Sequence, residues 1–180
     1  NENTHMHKIE TRNRALHTVN HENGDVSVEM GEPSKLCYDI AIGELITLQC
    51  SCYGAIDNPV QGYVLDIGNP HFVTFSTLAS AAIGTTIENH NMFANKINVN
   101  FVEIEDRSSV KLCTWERGVG FTKACGTGSC ASAFVAHRLG LVDDEVKVVM
   151  EQGSLLIKIV NGGIVMCGDA NNDGVGVMTV

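Results

Sequence analysis

Cys125 lies in Ala124-Cys125-Gly126-Thr127-Gly128-Ser129, directly ahead of an apolar stretch. A thiol acts as a base or nucleophile only as its thiolate, and unpaired N–H groups at a helix N-terminus favour that anion. Gly126, Thr127 and Gly128 can also turn their backbone N–H groups towards a bound carboxylate. The spacing thus predicts a reactive thiol and an anion hole in one turn. Upstream, Trp115-Glu116-Arg117-Gly118 closes a predicted strand with a glycine-bearing loop. Arg117 can grip a carboxylate with two hydrogen bonds, and Glu116 can hold an ammonium group or tune a thiol. In Gly68-Asn69-Pro70-His71 a turn offers the Asn69 amide to a carboxylate and His71 as acceptor of a thiol's proton. Asn98, in Ile97-Asn98-Val99-Asn100-Phe101, adds a further amide. Taken singly, these are a structural cysteine, a solvated ion pair, a plain turn and a buried strand histidine. Taken together, they describe a site for a zwitterion.

Positioning these groups requires strands and one special helix. Strands are predicted at Asp25 to Met30, Glu44 to Cys50, Gly62 to Ile67, His71 to Phe75, Asn98 to Ile104, Val110 to Trp115, Glu145 to Met150, Leu155 to Val160 and Ile164 to Cys167, bounded by Gly, Asn or Asp. Two stretches have helical length and composition, Leu78 to His90 and Gly128 to Leu139. From Gly128 to His137 the second carries no charge on any face, so it is buried all round. Its small residues Ala131, Ser132, Ala133 and Ala136 let strands approach closely, which predicts a curved sheet or barrel around a central helix, ending near Gly140. Lys8 to Val19 is expected to be a strand or crossing segment.

The 180 residues, 44% hydrophobic and 18% charged, suit one folded domain. A net charge of −9 disfavours nucleic acid and anionic membranes as partners and leaves a small-molecule or protein partner. No apolar run reaches the roughly 20 residues of a membrane span. Seven cysteines without the spacing of a disulfide framework point to a reducing compartment, hence a cytoplasmic location. Cys50-Ser51-Cys52, with Cys113 and Cys167 distant, lacks a second paired knuckle, so no metal site is expected.

The stretches Gly68-Asn69-Pro70-His71, Ile87-Glu88-Asn89-His90, Asn98-Val99-Asn100-Phe101-Val102, Trp115-Glu116-Arg117-Gly118 and Ala124-Cys125-Gly126-Thr127-Gly128, with Val28-Glu29-Met30-Gly31-Glu32-Pro33 before them, together resemble diaminopimelate epimerases. The resemblance implies an α/β (α+β) fold, a β-barrel-like sheet wrapped around a central buried helix. It also implies interconversion of LL- and meso-diaminopimelate without cofactor, by two cysteines facing each other across the α-carbon, in the bacterial route to lysine and peptidoglycan. Cys125 would be one base, with Glu116 adjusting its pKa and His71 adjusting that of the other. Gly126 and Thr127 would hold the reacting carboxylate, and Asn69, Asn98, Glu116 and Arg117 other polar groups. The other cysteine of the family stands in a Cys-Gly-Asn-Gly-type motif that does not occur here, and Cys37, Cys50 and Cys52 lack that context. The expectation is therefore a C-terminal portion, with residues 1–24 a remnant of the first lobe or crossing segment and 25–180 the second lobe. Such a piece would be inactive alone, and the full-length enzyme a possible homodimer. The alternatives are a proline-racemase-like enzyme and a binding lobe without catalysis. Phe72, Phe121 and Gly168-Asp169-Ala170 depart from the family's usual residues.

Overall fold

The computed structural model describes residues 5–11, 14–35, 40–49, 59–76 and 79–170. In chain order these form β1 (His5–Glu10), β2 (Ala15–Asn20), β3 (Asp25–Gly31), β4 (Leu45–Gln49), β5 (Pro59–Asp66), β6 (Pro70–Thr74), α1 (Ala81–Glu88), β7 (Asn98–Ile104), β8 (Ser109–Glu116), β9 (Gly120–Thr122), α2 (Gly126–Arg138), β10 (Glu145–Met150), β11 (Gly153–Val160) and β12 (Gly163–Asp169). Period-two burial explains the strands: in β4 Ile46 and Leu48 turn inward, and in β10 Val146 and Val148, while their neighbours face out.

The twelve described strands join one sheet, ordered β1-β2-β3-β12-β11-β10-β8-β7-β6-β5-β4, with β9 on β8. Most neighbours are antiparallel. The exceptions are β6 with β7 and β8 with β10, and parallel neighbours need a crossover. The first crossover contains α1 and the second contains α2, and the described residues form two apolar clusters. One gathers Ile87 of α1 with Phe72, Phe93, Ile97 and Val99; the other surrounds α2.

From Gly128 to Ala136 every residue of α2 is buried. The helix packs against β5, β6, β7, β8, β10, β11 and β12, so the predicted curved sheet around a central helix is what forms. The Ser129 and Ser132 hydroxyls donate back to the Cys125 and Gly128 carbonyls at 2.8 and 2.7 Å. The helix stops where expected. Gly140 takes φ 70, its N–H donates to His137 O, and that of Leu141 to Ala136 O, the paired bonds of a Schellman ending.

Three expectations change. Lys8 to Val19 is a hairpin rather than one segment, with Glu10 opposite Ala15 and the turn tied by Thr11 and Arg14. Through β2 and β3 that hairpin extends the main sheet. The first helix is shorter, starting at the Ser80 N-cap, whose hydroxyl accepts from Ile83 N–H at 3.3 Å, and ending at Glu88. Strand β9 was not anticipated. Cys37, Cys50 and Cys52, and the start of the first predicted helix at Leu78, lie outside the described residues. Among the described residues, no helix is long and apolar enough to cross a membrane.

Candidate active site

Cys125 is the N-cap of α2, in extended backbone (φ −148, ψ 107) and 9% exposed. Its Sγ accepts from Gly128 N–H at 3.4 Å and lies 3.7 Å from Thr127 Oγ1. Its own N–H donates to Met150 Sδ at 3.3 Å, and the Ser129 hydroxyl reaches the same sulfur at 3.3 Å. Among the described residues, nothing accepts from Gly126 or Thr127 N–H, the first donors of the helix. The thiol is not tuned downward as a helix start alone would predict. Burial pushes its pKa up; Gly128 N–H and Thr127 oppose this, and Glu116 raises it again through its charge and through a hydrogen bond the thiol can donate. Burial outweighs the helix terminus, so Cys125 rests as a thiol.

Gly128 makes this packing possible. A Cβ there would lie 2.6 Å from Asn100 Oδ1, 3.0 Å from Thr114 Oγ1 and 3.1 Å from Cys125 Sγ. At Gly126 the nearest atom would be Met166 Sδ at 3.1 Å.

The Glu116 loop is fastened from several sides. Glu116 Oε1 accepts from Thr122 Oγ1 at 2.7 Å, joining β8 to β9. Arg117 is exposed; its guanidinium donates to Asn95 O and its N–H to Asn98 Oδ1, both at 3.0 Å. Asn98 Nδ2 donates to Pro70 O at 2.9 Å, so this buried amide ties the Arg117 loop to the start of β6. Glu88, at the end of α1, was not singled out from sequence. Its buried carboxylate accepts from Trp115 Nε1 at 2.7 Å, Gly118 N–H at 2.9 Å and Lys96 Nζ at 3.2 Å. Although burial acts the other way, these donors hold its pKa below the ordinary value. A glutamate closing an apolar helix was the signal available.

His71 is fully buried in β6. Its Nδ1 meets Asn100 Nδ2 at 3.0 Å and its Nε2 meets Asn69 Oδ1 at 3.1 Å. Asn100 Nδ2 also donates to Phe72 O at 3.2 Å, while its Oδ1 accepts from Thr114 Oγ1 at 3.1 Å. Burial lowers the His71 pKa to about 3; Asn100 resists this and the Arg117 charge adds to it. With both nitrogens engaged, His71 is not placed to take up a proton, contrary to the sequence expectation. The connection from β6 through β7 to β8 depends on register, which sets Asn98 beside His71 and Asn100 opposite Thr114.

The structure thus brings Cys125, Glu116, Thr127 and Gly128 together, and joins Asn98 to Arg117 and Asn69 to His71. Residues 63–172 match the family model described as diaminopimelate epimerase. The chain belongs to the diaminopimelate epimerase family. A diaminopimelate epimerase of Methanococcus aeolicus is 39% identical over 142 residues, covering 73% of this chain and 47% of that one. One from Rhizorhabdus wittichii is 38% identical over 156 residues, covering 83% and 56%. The chain spans about half the length of these diaminopimelate epimerases. In fold it is similar to a hydroxyproline epimerase from Agrobacterium vitis, crystallised with trans-4-hydroxy-L-proline, with a TM-score of 0.65 at 14% identity over 97% of this chain and 60% of that one. Among the described residues, no group of three or more His, Cys, Asp or Glu is arranged to hold a metal ion.

Proposed function

We propose that this chain supplies one half of the site that interconverts LL- and meso-diaminopimelate by proton transfer between two cysteines. The supporting observation is Cys125 itself, a buried thiol at the start of a buried helix, with its pKa raised by burial and by Glu116, next to the N–H groups of Gly126 and Thr127, which find no acceptor among the described residues. An opposing thiolate takes the α-hydrogen, and the C–H electron pair delocalises into the substrate carboxylate. Gly126 and Thr127 N–H face that growing charge, and fixed dipoles in a dry site stabilise it as it forms. Cys125 S–H then delivers its proton to the opposite face of the carbon. The new Cys125 thiolate is held by Gly128 N–H and Thr127 Oγ1. In the reverse direction the two sulfurs exchange roles.

Glu116 and Arg117 are the charged groups for the substrate's ammonium and carboxylate, with Asn69 and Asn98 beside them. In this reading residues 25–180 form the second lobe, residues 1–24 lead into it from a first lobe that carries the opposing cysteine, and the enzyme works in the cytoplasm. Cys130, one helical turn beyond Cys125, is fully buried and does not meet a substrate.

The test is exchange of the diaminopimelate α-hydrogen in deuterated water, with the full-length protein, its Cys125→Ala variant and the isolated chain. Full-length wild type should exchange and epimerise, while Cys125→Ala and the isolated chain should not epimerise. Sustained epimerisation by Cys125→Ala would exclude the assigned role. L-proline run in parallel separates this activity from a proline-racemase-like one.

A further inference from the structure

The hydrogen bonds around His71 have only one consistent direction, and a single backbone carbonyl sets it. Phe72 O can only accept, so the Asn100 side-chain atom 3.2 Å from it is the nitrogen. That nitrogen lies 3.0 Å from His71 Nδ1, and because an amide nitrogen donates, Nδ1 is the bare acceptor. A neutral ring then carries its hydrogen on Nε2. Nε2–H in turn points at Asn69 from 3.1 Å, so the Asn69 atom facing it is the carbonyl oxygen. At the other end, the Asn100 oxygen accepts from Thr114 Oγ1. The chain runs Thr114 to Asn100 to His71 to Asn69, donor to acceptor at every step. Asn100 uses both hydrogens and its oxygen, and is fully buried.

We infer that Asn100 is a positioning residue which, through the His71 tautomer, turns the Asn69 amide so that its NH2 group rather than its oxygen is presented to a ligand carboxylate. The inference rests on the site taking an amino acid's carboxylate. Asn69 lies in the partly exposed turn between β5 and β6, and with its oxygen held by His71 its two N–H donors are what remain to meet a ligand. Reversing the relay would set an amide oxygen against an anion, replacing attraction with repulsion. A charged ring does not fit the same contacts, since it would place Nδ1–H against the Asn100 N–H. The low basicity of the buried ring agrees with this. His71 therefore orients without exchanging its own proton.

Two measurements on the full-length protein test this. The first is the nitrogen NMR signature of the His71 ring. Wild type should show bare Nδ1 and protonated Nε2, unchanged from pH 8 to pH 5; protonation of Nδ1 in that range overturns the proposal, whatever the substrate. The second is a double-mutant cycle on KM for diaminopimelate. Asn100→Asp puts an acceptor against Nδ1, draws the proton there and turns Asn69 over, so KM should rise about tenfold, as expected for one charge-assisted hydrogen bond. Asn69→Ala should raise KM by a similar factor, and the double variant no further, because the first change acts through the second residue. Multiplying effects overturn the proposal and leave Asn100 a purely structural role. If wild type does not turn over diaminopimelate, the assigned substrate fails while the tautomer measurement still decides the relay.

Discussion

Placing a methyl group on Gly128 sets two opposing effects against each other at the centre of the site. Alanine is the better helix former, and inside α2 the exchange should contribute about 1 kcal/mol. Against this, the new carbon would stand 2.6 Å from Asn100 Oδ1 and close to Thr114 Oγ1 and Cys125 Sγ, so the first contact must open by about 0.8 Å to become ordinary. Asn100 cannot yield cheaply, because its amide is bound at three points. Overpacking of this kind costs about 1–3 kcal/mol, so Gly128→Ala should be net destabilised by roughly 0–2 kcal/mol. The larger effect falls on chemistry: a thiol displaced by nearly 1 Å should lose on the order of 100-fold in turnover. Urea unfolding and α-hydrogen exchange, measured on the same protein, separate the two. Gly126→Ala is the control, since it meets only the Met166 thioether, which can swing aside, and it should keep wild-type stability to within about 1 kcal/mol. Gly128→Ala with turnover within about twofold of wild type would refute the tight packing between the helix start and Asn100.

Three further outcomes follow from the buried charges. His71 is neutral when folded but protonates in the unfolded chain below its ordinary value of 6.5, so stability should fall by roughly 1.4 kcal/mol per pH unit from 6.5 towards about 3; His71→Gln should flatten that slope in unfolding measured against pH. Glu88 has the opposite charge and a lowered pKa, so its contribution is complete above the ordinary glutamate range and is lost as pH falls through its folded value. Glu88→Ala should cost about 3 kcal/mol by thermal unfolding at pH 7, because Trp115 and Gly118 lose their acceptor in a buried place. Glu116→Gln removes a charge that keeps Cys125 protonated, so alkylation of Cys125 by iodoacetamide at neutral pH should become faster; an unchanged or slower rate would show that Glu116 does not act on the thiol.

What could be read from sequence was whatever a local pattern carries. The uncharged run from Gly128 to His137 announced a helix enclosed by strands, Gly140 its end, and the alternation in β10 a half-buried strand. Cys125, Glu116 and Arg117 stood out in sequence as candidates only through their conjunction with the Asn69–His71 turn, since each alone has a plain structural reading. Features that arise only from register were not legible. Asn100 meets Thr114 across an antiparallel pair and His71 from a parallel one, and neither contact leaves a trace in local spacing. The turn at Thr11 lacks glycine or proline, so the first hairpin resembled a single segment. Charge balance at buried groups was equally hidden: the helix start at Cys125 was visible, but the burial that overrides it was not.

The enclosure of α2 also limits how the site can move. A helix gripped by strands on every side, buried at every residue from Gly128 to Ala136, can neither slide along its axis nor turn about it without unseating the main core. Cys125 is fixed to the end of that post. Any movement around a ligand must therefore come from other segments, while the sulfur and the N–H groups beside it stay a stationary reference.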